Sequence, residues 1–323
     1  MTPHQHTHTA GHGHTDHSGS TAHTGHTGST AHTSHTGHTG HGDVDWGELL
    51  PLLERGAELQ SPLYRQAAAW LGDLVPSAAV RRVLDVGSGP GVLSCLLAEA
   101  FPYAEVVAVD GTPELLERAG RRAASLGHIG ARVTLRHAEL PDALGELGDA
   151  DLIWAGDAVH HLGDQGAALA ALARLLRPGG VLALVEGGLP TRYLPRDIGI
   201  GRPGLEARLD AASADAFTEM REALPDFRAE TEDWRAMFTA AGLEPSGTRS
   251  FLQDVPAPVP HAVREHAITL FTRQRARFAD RIDGVDLATL DRLLDPSAPG
   301  SLHQRPDLHL LTARTVHTAR RVG

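Results

Sequence analysis

Apolar and polar residues follow two different periods between residues 81 and 188. Short apolar runs such as VLDVG and DLIWAG have the length of buried strands, whereas PELLERAGRRAASLG carries apolar residues at helical spacing. The pattern predicts strands at residues 81–87, 104–110, 131–140, 150–157 and 181–188, and helices at residues 91–101, 113–127 and 165–180. Strands that alternate with helices indicate an α/β fold with a parallel, doubly wound sheet, which binds ligands at the carboxyl ends of its strands.

The flanking segments have a different pattern. Residues 43–80 carry apolar residues at helical spacing and predict two helices, while residues 189–240 lose the strand and helix alternation and are expected to be largely helical. Two late strands, at residues 244–255 and 307–320 with a helical insert between them, would complete a seven-stranded sheet.

Residues 1–42 consist almost wholly of His, Thr, Gly, Ser and Ala, and they hold 12 of the 21 histidines. Such a segment cannot bury a core, so we expect it to be a disordered tail. Neutral imidazole suits zinc, nickel and copper, so the tail could bind divalent metal weakly. The alternative is a solvated tail without a specific metal function, whose sequence changes through expansion of its repeats. We predict no metal site in the rest of the chain.

Charge and composition exclude several classes of function. The net charge of −11 would repel nucleic-acid phosphates, and no basic stripe offsets it. No run approaches the roughly 20 apolar residues of a membrane span, and the N-terminus lacks the apolar block of a secretory signal. All 29 basic side chains are arginine, which excludes lysine Schiff-base chemistry. We expect a cytoplasmic protein, with its single Cys95 buried and inert.

The glycine-rich turn after the first strand constrains the cofactor. Gly87, Gly89 and Gly91 follow a G-x-G-x-G spacing, whereas a dinucleotide fingerprint places its third glycine where this chain has Val92. Asp85 lies two residues before the first glycine, where it could accept from an ammonium group but would repel a pyrophosphate. The turn therefore favours a ligand without phosphates.

Two further acids follow the next strands. Asp110 ends the second predicted strand, the usual place for a carboxylate that bridges two ribose hydroxyls, although NAD enzymes use the same device. Glu139 ends the third predicted strand, where it could meet the exocyclic amine of adenine. Neither acid identifies the cofactor by itself.

Together these residues resemble the class I S-adenosylmethionine-dependent methyltransferases, from about Val83 to Gly188 and more loosely to the C-terminus. The matching motifs, in order, are VLDVGSGPG, the acid at Asp110, RHAEL, DLIWAGDAVHHL and LLRPGG. The resemblance implies a Rossmann-like fold that binds S-adenosylmethionine. The implied cofactor residues are Asp85, Gly87, Ser88, Gly89, Gly91, Asp110, Gly111, Glu139, Leu140 and Asp157.

The resemblance also implies an organisation along the chain. Beyond the tail at residues 1–42, it implies an N-terminal helical lid at residues 43–80 and a cofactor-binding core at residues 81–188. Residues 189–323 would then supply substrate-covering inserts and the last two strands.

Asp157, His160 and His161 follow the fourth strand and are the candidate catalytic residues. Methyl transfer is an in-line displacement, so the protein must align the reactants, exclude water and supply a base where the acceptor loses a proton. Either histidine could deprotonate a phenol or hydroxyl, or could serve a structural hydrogen bond. The amino-group methylases of the superfamily continue from the Asp157 position with two prolines and an aromatic residue, and this chain does not.

We therefore expect a methyltransferase for a small organic acceptor, with oxygen preferred over nitrogen or carbon as the acceptor atom, acting as a monomer or homodimer. Tyr64 could reach the cofactor's carboxylate or pack in the core, and Arg192, Tyr193 and Arg196 could bind an acidic group or solvate a loop. The alternatives are a non-catalytic cofactor-binding or metal-sensing regulatory protein, and a nicotinamide oxidoreductase.

Overall fold

The computed structural model describes residues 46–323, so the predicted tail at residues 1–42 lies outside the described residues. The helices are α1 (Trp46–Leu59), α2 (Ser61–Leu74), α3 (Val92–Ala100), α4 (Pro113–Ser125), α5 (Gln165–Leu175), α6 (Leu205–Glu222), α7 (Trp234–Ala240), α8 (His261–Arg277) and α9 (Gly284–Leu294). The strands are β1 (Arg82–Val86), β2 (Glu105–Asp110), β3 (Val133–His137), β4 (Ala150–Gly156), β5 (Leu176–Arg192), β6 (Leu243–Val255) and β7 (Leu310–Arg321).

The seven strands form one sheet in the order β3-β2-β1-β4-β5-β7-β6. The pairs from β3 through β5 are parallel, and β7 runs antiparallel to both of its neighbours, β5 and β6. The predicted doubly wound, mostly parallel, seven-stranded sheet is confirmed. The chain leaves β1 in one direction to build β2 and β3 and returns to place β4 on the other side, so the switch point lies between β1 and β4.

Helices cover both faces of this sheet, which explains why the central strands are almost continuously apolar. One face packs against α5 and α7, with Leu169, Trp234 and Phe238 in its core. The opposite face packs against α2 and α3, with Leu71 and Leu97 buried there. A third cluster of buried side chains joins α6, α8 and α9.

Several predicted boundaries were wrong. The fifth strand begins at Leu176 rather than at residue 181, because Leu176 already pairs with Ala150 of β4 across an irregularity, and α5 accordingly ends at Leu175. The third strand ends at His137 rather than at residue 140, because only one further backbone bond, from Ala138 N to Asp110 O, continues the pairing before Pro141, which has no N–H to donate. The fifth strand extends to Arg192, because an irregularity between Val185 and Gly188 lets the pairing with β7 continue.

Candidate active site

The turn between β1 and α3 is tightly packed at its first and last glycines, and its middle glycine faces open space. A Cβ at Gly87 would lie 2.6 Å from the Cβ of Ala158, and a Cβ at Gly91 would lie 2.6 Å from the Cβ of Ala119. Both glycines, and Gly89 between them, have positive φ. A Cβ at Gly89 would meet nothing within 4 Å. The turn therefore offers backbone to a ligand at Gly89 while it is locked in place on either side.

Asp110 ties this turn to the end of β2. Its buried carboxylate accepts hydrogen bonds from the backbone N–H of Gly89 and of Thr112, both at 2.9 Å. A carboxylate has about four lone-pair sites, so Asp110 keeps acceptor capacity for two hydroxyls. The nearby Ser88 Oγ is buried and has no hydrogen-bond partner within residues 46–323. This orphaned hydroxyl and the open space at Gly89 fit an adenosyl ligand at the turn.

Asp85 lies beneath the turn rather than open to it. Its side chain is 1% exposed and accepts a hydrogen bond from the Ser94 hydroxyl of α3. Burial raises the pKa of Asp85 to about 7, with the Ser94 bond opposing the shift and the charge of Asp110 adding to it. The structure thus places this acid as a link between β1 and α3, and a bond to the cofactor's ammonium stays a prediction.

Glu139 and Gly111 meet in the loops after β3 and β2. An ideal Cβ at Gly111 would lie 3.1 Å from Glu139 Oε2. The Glu139 side chain is 70% exposed, and Leu140 beside it packs half-buried against the core. The pair lies at the carboxyl edge of the sheet, and its contact with adenine stays a prediction.

The end of β4 abuts the glycine turn through Ala158. Asp157 stands just before it with φ of 48°, a conformation that side-chain-bearing residues rarely adopt, and its backbone N–H donates to Val185 O at 3.0 Å. Its carboxylate is 41% exposed. Partial removal from water raises the pKa of Asp157, and the positive charge of Arg314 opposes that shift. The backbone strain marks this turn as a candidate site.

Glu186, near the carboxyl end of the parallel part of β5, holds the turn that carries the two histidines. Its buried Oε1 accepts from the backbone N–H of Val159 at 3.1 Å and of His160 at 3.4 Å, and its Oε2 lies 2.8 Å from His160 Nδ1. Sequence reasoning missed Glu186, although it is the one acid in the apolar run VLALVEGG. His160 and Glu186 therefore form a hydrogen-bonded dyad.

Helix α6 fixes the same turn from the other side. Arg221 donates to the carbonyls of His160 and Leu162, both at 2.7 Å, and the Phe217 ring meets the His160 ring edge-on at 5.3 Å. The exposed His161 ring lies 4.2 Å from that of His160. The structure thus identifies Glu186 as the carboxylate partner of His160.

Arg314 of β7 is a second residue that sequence reasoning missed. Its Nε donates to Gln60 Oε1 at 3.0 Å and its Nη1 lies 3.5 Å from Asp157 Oδ1. Burial raises the pKa of the neighbouring Tyr64 hydroxyl, and the positive charge of Arg314 opposes that larger effect. The Tyr64 ring also packs edge-on against Trp154 at 6.1 Å. The Tyr64 ring therefore packs against the core, and a contact of its hydroxyl with the cofactor's carboxylate stays a prediction.

Three side chains of the site have donor atoms close enough to share a cation. Oxygen and nitrogen atoms of Asp157, His160 and Glu186 all lie within 4.8 Å of one another. These side chains are engaged with protein groups, since Glu186 pairs with His160 and Asp157 lies beside Arg314. The observed contacts describe a hydrogen-bonded cluster.

The remaining candidates lie away from these groups. Arg192 pairs with Asp210 of α6, Tyr193 is buried in the cluster of α6, α8 and α9, and Arg196 is exposed. Cys95 is buried, and burial raises the pKa of its thiol to about 11, so it is an inert core residue.

Comparisons with known proteins give this geometry a family. The profile described as "Methyltransferase domain" matches residues 83–180. A trans-aconitate 2-methyltransferase of Methylobacterium nodulans is 30% identical over 250 residues, which are 75% of this chain and 90% of that protein. The chain belongs to the class I S-adenosylmethionine-dependent methyltransferases.

Two further matches cover a smaller share of the matched proteins. A trans-aconitate 2-methyltransferase of Methylobacterium radiotolerans is 34% identical over 181 residues, 53% of this chain and 66% of that protein. The structure of an O-methyltransferase family protein from Burkholderia thailandensis aligns with a TM-score of 0.42 at 21% identity, over 60% of this chain and 53% of that chain.

The expected cofactor, S-adenosylmethionine, and the expected enzyme class are confirmed. The methyltransferase's glycine turn, Asp110 and the end of β4 lie together at the switch point of the sheet. No helix within residues 46–323 is long and apolar enough to cross a bilayer.

Proposed function

We propose that this methyltransferase transfers the methyl group to a hydroxyl oxygen of a small organic acceptor, and that His160 removes the acceptor's proton. The observation that carries the proposal is the 2.8 Å contact between His160 Nδ1 and Glu186 Oε2 beside the glycine turn. A carboxylate on Nδ1 favours the tautomer with its proton there, which leaves Nε2 as the basic atom.

Different residues would serve the separate requirements of an in-line displacement: binding the cofactor, orienting the base and excluding water. Bound S-adenosylmethionine supplies an electrophilic methyl carbon. The glycine turn and Asp110 would hold the adenosyl part, as the open space at Gly89 and the spare acceptor capacity of Asp110 support. Glu186 would orient His160 and stabilise its positive charge after proton transfer. Helix α6, which fixes the His160 turn through Arg221, would belong to the lid that excludes water.

A second candidate is methyl ester formation on the carboxylate of a small acid. The names of the two Methylobacterium relatives favour it. A carboxylate is ionised at neutral pH and attacks without a base, so this reaction would not need His160 as an acceptor of a proton. The two candidates therefore differ in the product and in the role of His160.

The experiment is transfer of a labelled methyl group from S-adenosylmethionine to a panel of phenols, hydroxy acids, primary amines and trans-aconitate. The proposal predicts labelled products that resist mild alkali, as methyl ethers do. Alkali-labile products from the acids would favour the ester, and label only on amines would refute oxygen as the acceptor atom. Excess chelator should leave the rate unchanged, whereas a loss restored by magnesium would mean that Asp157, His160 and Glu186 hold a cation.

The organisation of the chain around this activity is also a proposal. Residues 43–80 and the inserts within residues 189–323 would cover the strand ends as lids and select the acceptor, and residues 1–42 would bind divalent metal weakly or not at all. Monomer or homodimer stays a prediction, and sedimentation of the full chain measures it.

A further inference from the structure

Arg314 occupies an unusual position for a cation. It lies on β7 between Thr312 and Val316, which are 1% and 0% exposed, and its own side chain is 27% exposed. A guanidinium on a largely buried sheet face needs polar partners, because removal from water is costly when its N–H groups are unpaired. Among the described residues, its partners are Gln60, between α1 and α2, and Asp157 of the candidate active site.

The partners hold the guanidinium loosely. The strong contact is the 3.0 Å bond from Nε to Gln60 Oε1, whereas the 3.5 Å separation between Nη1 and Asp157 Oδ1 exceeds the 2.7–2.9 Å of a charge-assisted hydrogen bond. A guanidinium presents five N–H donors in a fork that matches a carboxylate. Arg314 therefore keeps donor capacity toward the site.

Tyr64 offers a second hydrogen-bond donor close to Arg314 and Asp157. Its ring packs edge-on against Trp154, and its hydroxyl lies close enough to Arg314 and Asp157 for both charges to act on it. A phenol hydroxyl carries one proton that it can donate to a ligand. Burial and the nearby charge of Asp157 raise the pKa of Tyr64 to about 12, so the hydroxyl stays protonated at neutral pH. Two donor groups, one of them cationic, thus converge beside Asp157.

We propose that Arg314 and Tyr64 form a carboxylate-binding site on the β7 side of the active site. Two carboxylates are available to it. One is the carboxylate of an acidic methyl acceptor, a case that rests on the proposed function. The other is the carboxylate at the aminoacyl end of the cofactor. Arg314 would bind this carboxylate, and the neighbouring ammonium group would donate a hydrogen bond to Asp157.

The first arm of the test titrates S-adenosylhomocysteine and its decarboxylated analogue into the full chain by calorimetry. The variants are Arg314→Gln, Tyr64→Phe and the matched control Arg249→Gln, which removes an exposed arginine from the neighbouring strand β6. If the site binds the cofactor, Arg314→Gln weakens S-adenosylhomocysteine by about 10- to 100-fold and Tyr64→Phe by several-fold. The analogue and the Arg249→Gln variant should show no such change.

The second arm titrates trans-aconitate and its trimethyl ester into protein saturated with S-adenosylhomocysteine. A loss of trans-aconitate affinity in Arg314→Gln, with no change for the ester, assigns the site to an acidic acceptor. Equal losses for ligands with and without a carboxylate, or no loss in either arm, would overturn the proposal. Because both arms measure binding, failure of the hydroxyl-methylation experiment leaves their interpretation intact.

Discussion

Replacement of Glu186 by Gln tests the dyad with the smallest change in shape. The carboxylate accepts from two backbone N–H groups on one oxygen and faces His160 Nδ1 with the other. The carboxamide oxygen must stay with the two N–H donors of Val159 and His160, so the NH₂ group faces Nδ1. The ring then accepts at Nδ1 and carries its proton on Nε2, where it can no longer act as a base.

The expected losses follow from these contacts. General base catalysis contributes about 10²- to 10⁴-fold, so kcat should fall by that factor when His160 is locked in the wrong tautomer. The variant keeps its two backbone bonds in a weaker, uncharged form, and we expect the free energy of unfolding to fall by about 1–3 kcal/mol. Affinity for S-adenosylhomocysteine should stay the same, since Glu186 is not among the residues expected to hold it.

The assay is single-turnover methyl transfer at saturating cofactor with an acceptor found in the panel, alongside urea unfolding. Glu206→Gln is a matched control, because Glu206 is also a carboxylate that accepts from two backbone N–H groups, those of Tyr193 and Leu194, and its charged neighbours are Arg192 and Asp210. The control should keep its rate. A Glu186→Gln enzyme with the wild-type rate would refute the assignment of His160 as a base oriented by Glu186.

Three further changes probe the cofactor turn. Asp110→Ala should weaken S-adenosylhomocysteine by about 10- to 100-fold through lost charge-assisted bonds, and unchanged affinity in a calorimetric titration would contradict the placement of this acid. Gly91→Ala should lower the melting temperature more than Gly89→Ala, because its Cβ would lie 2.6 Å from the Cβ of Ala119 whereas Gly89 faces open space; similar melting curves would contradict this. For Asp85→Asn, the free energy of unfolding relative to that of the ligand-free wild type should increase as pH rises. The folded pKa of Asp85 is about 7 and its ordinary value is 3.8, so the free energy of unfolding of the wild type falls between these two pH values by about 1.4 kcal/mol per pH unit. A difference between variant and wild type in urea unfolding that does not change with pH would refute the shift.

Periodicity located the central strands well because they are buried on both faces and have uniform apolar sequences. The same reasoning placed Asp110, Gly89 and Asp157 at one edge, since the carboxyl ends of parallel strands meet there. It could not separate His160 from His161, because adjacent residues in a short turn give no directional signal. That difference depends on Glu186, 26 residues further along the chain, and therefore on how β4 pairs with β5.

The position of Arg314 at the site could not be predicted from the sequence, for a related reason. Its place opposite Gly188 depends on the irregular pairing between β5 and β7, where a Cβ at Gly188 would lie 2.2 Å from Ala313 O. Nothing in the sequence around Arg314 sets that register. Tyr64 could be placed on a helix from its pattern, but the role proposed for its hydroxyl depends on Arg314, and therefore on where β7 lies in the sheet.

The most direct test of the account compares wild-type enzyme with His160→Gln and His161→Gln in single-turnover methyl transfer to a hydroxyl acceptor, with S-adenosylhomocysteine affinity measured in parallel. The account predicts that His160→Gln slows transfer by about 10²- to 10⁴-fold with unchanged affinity, while His161→Gln stays near the wild-type rate. Transfer by His160→Gln at the wild-type rate, or an equal loss in both variants, would contradict it.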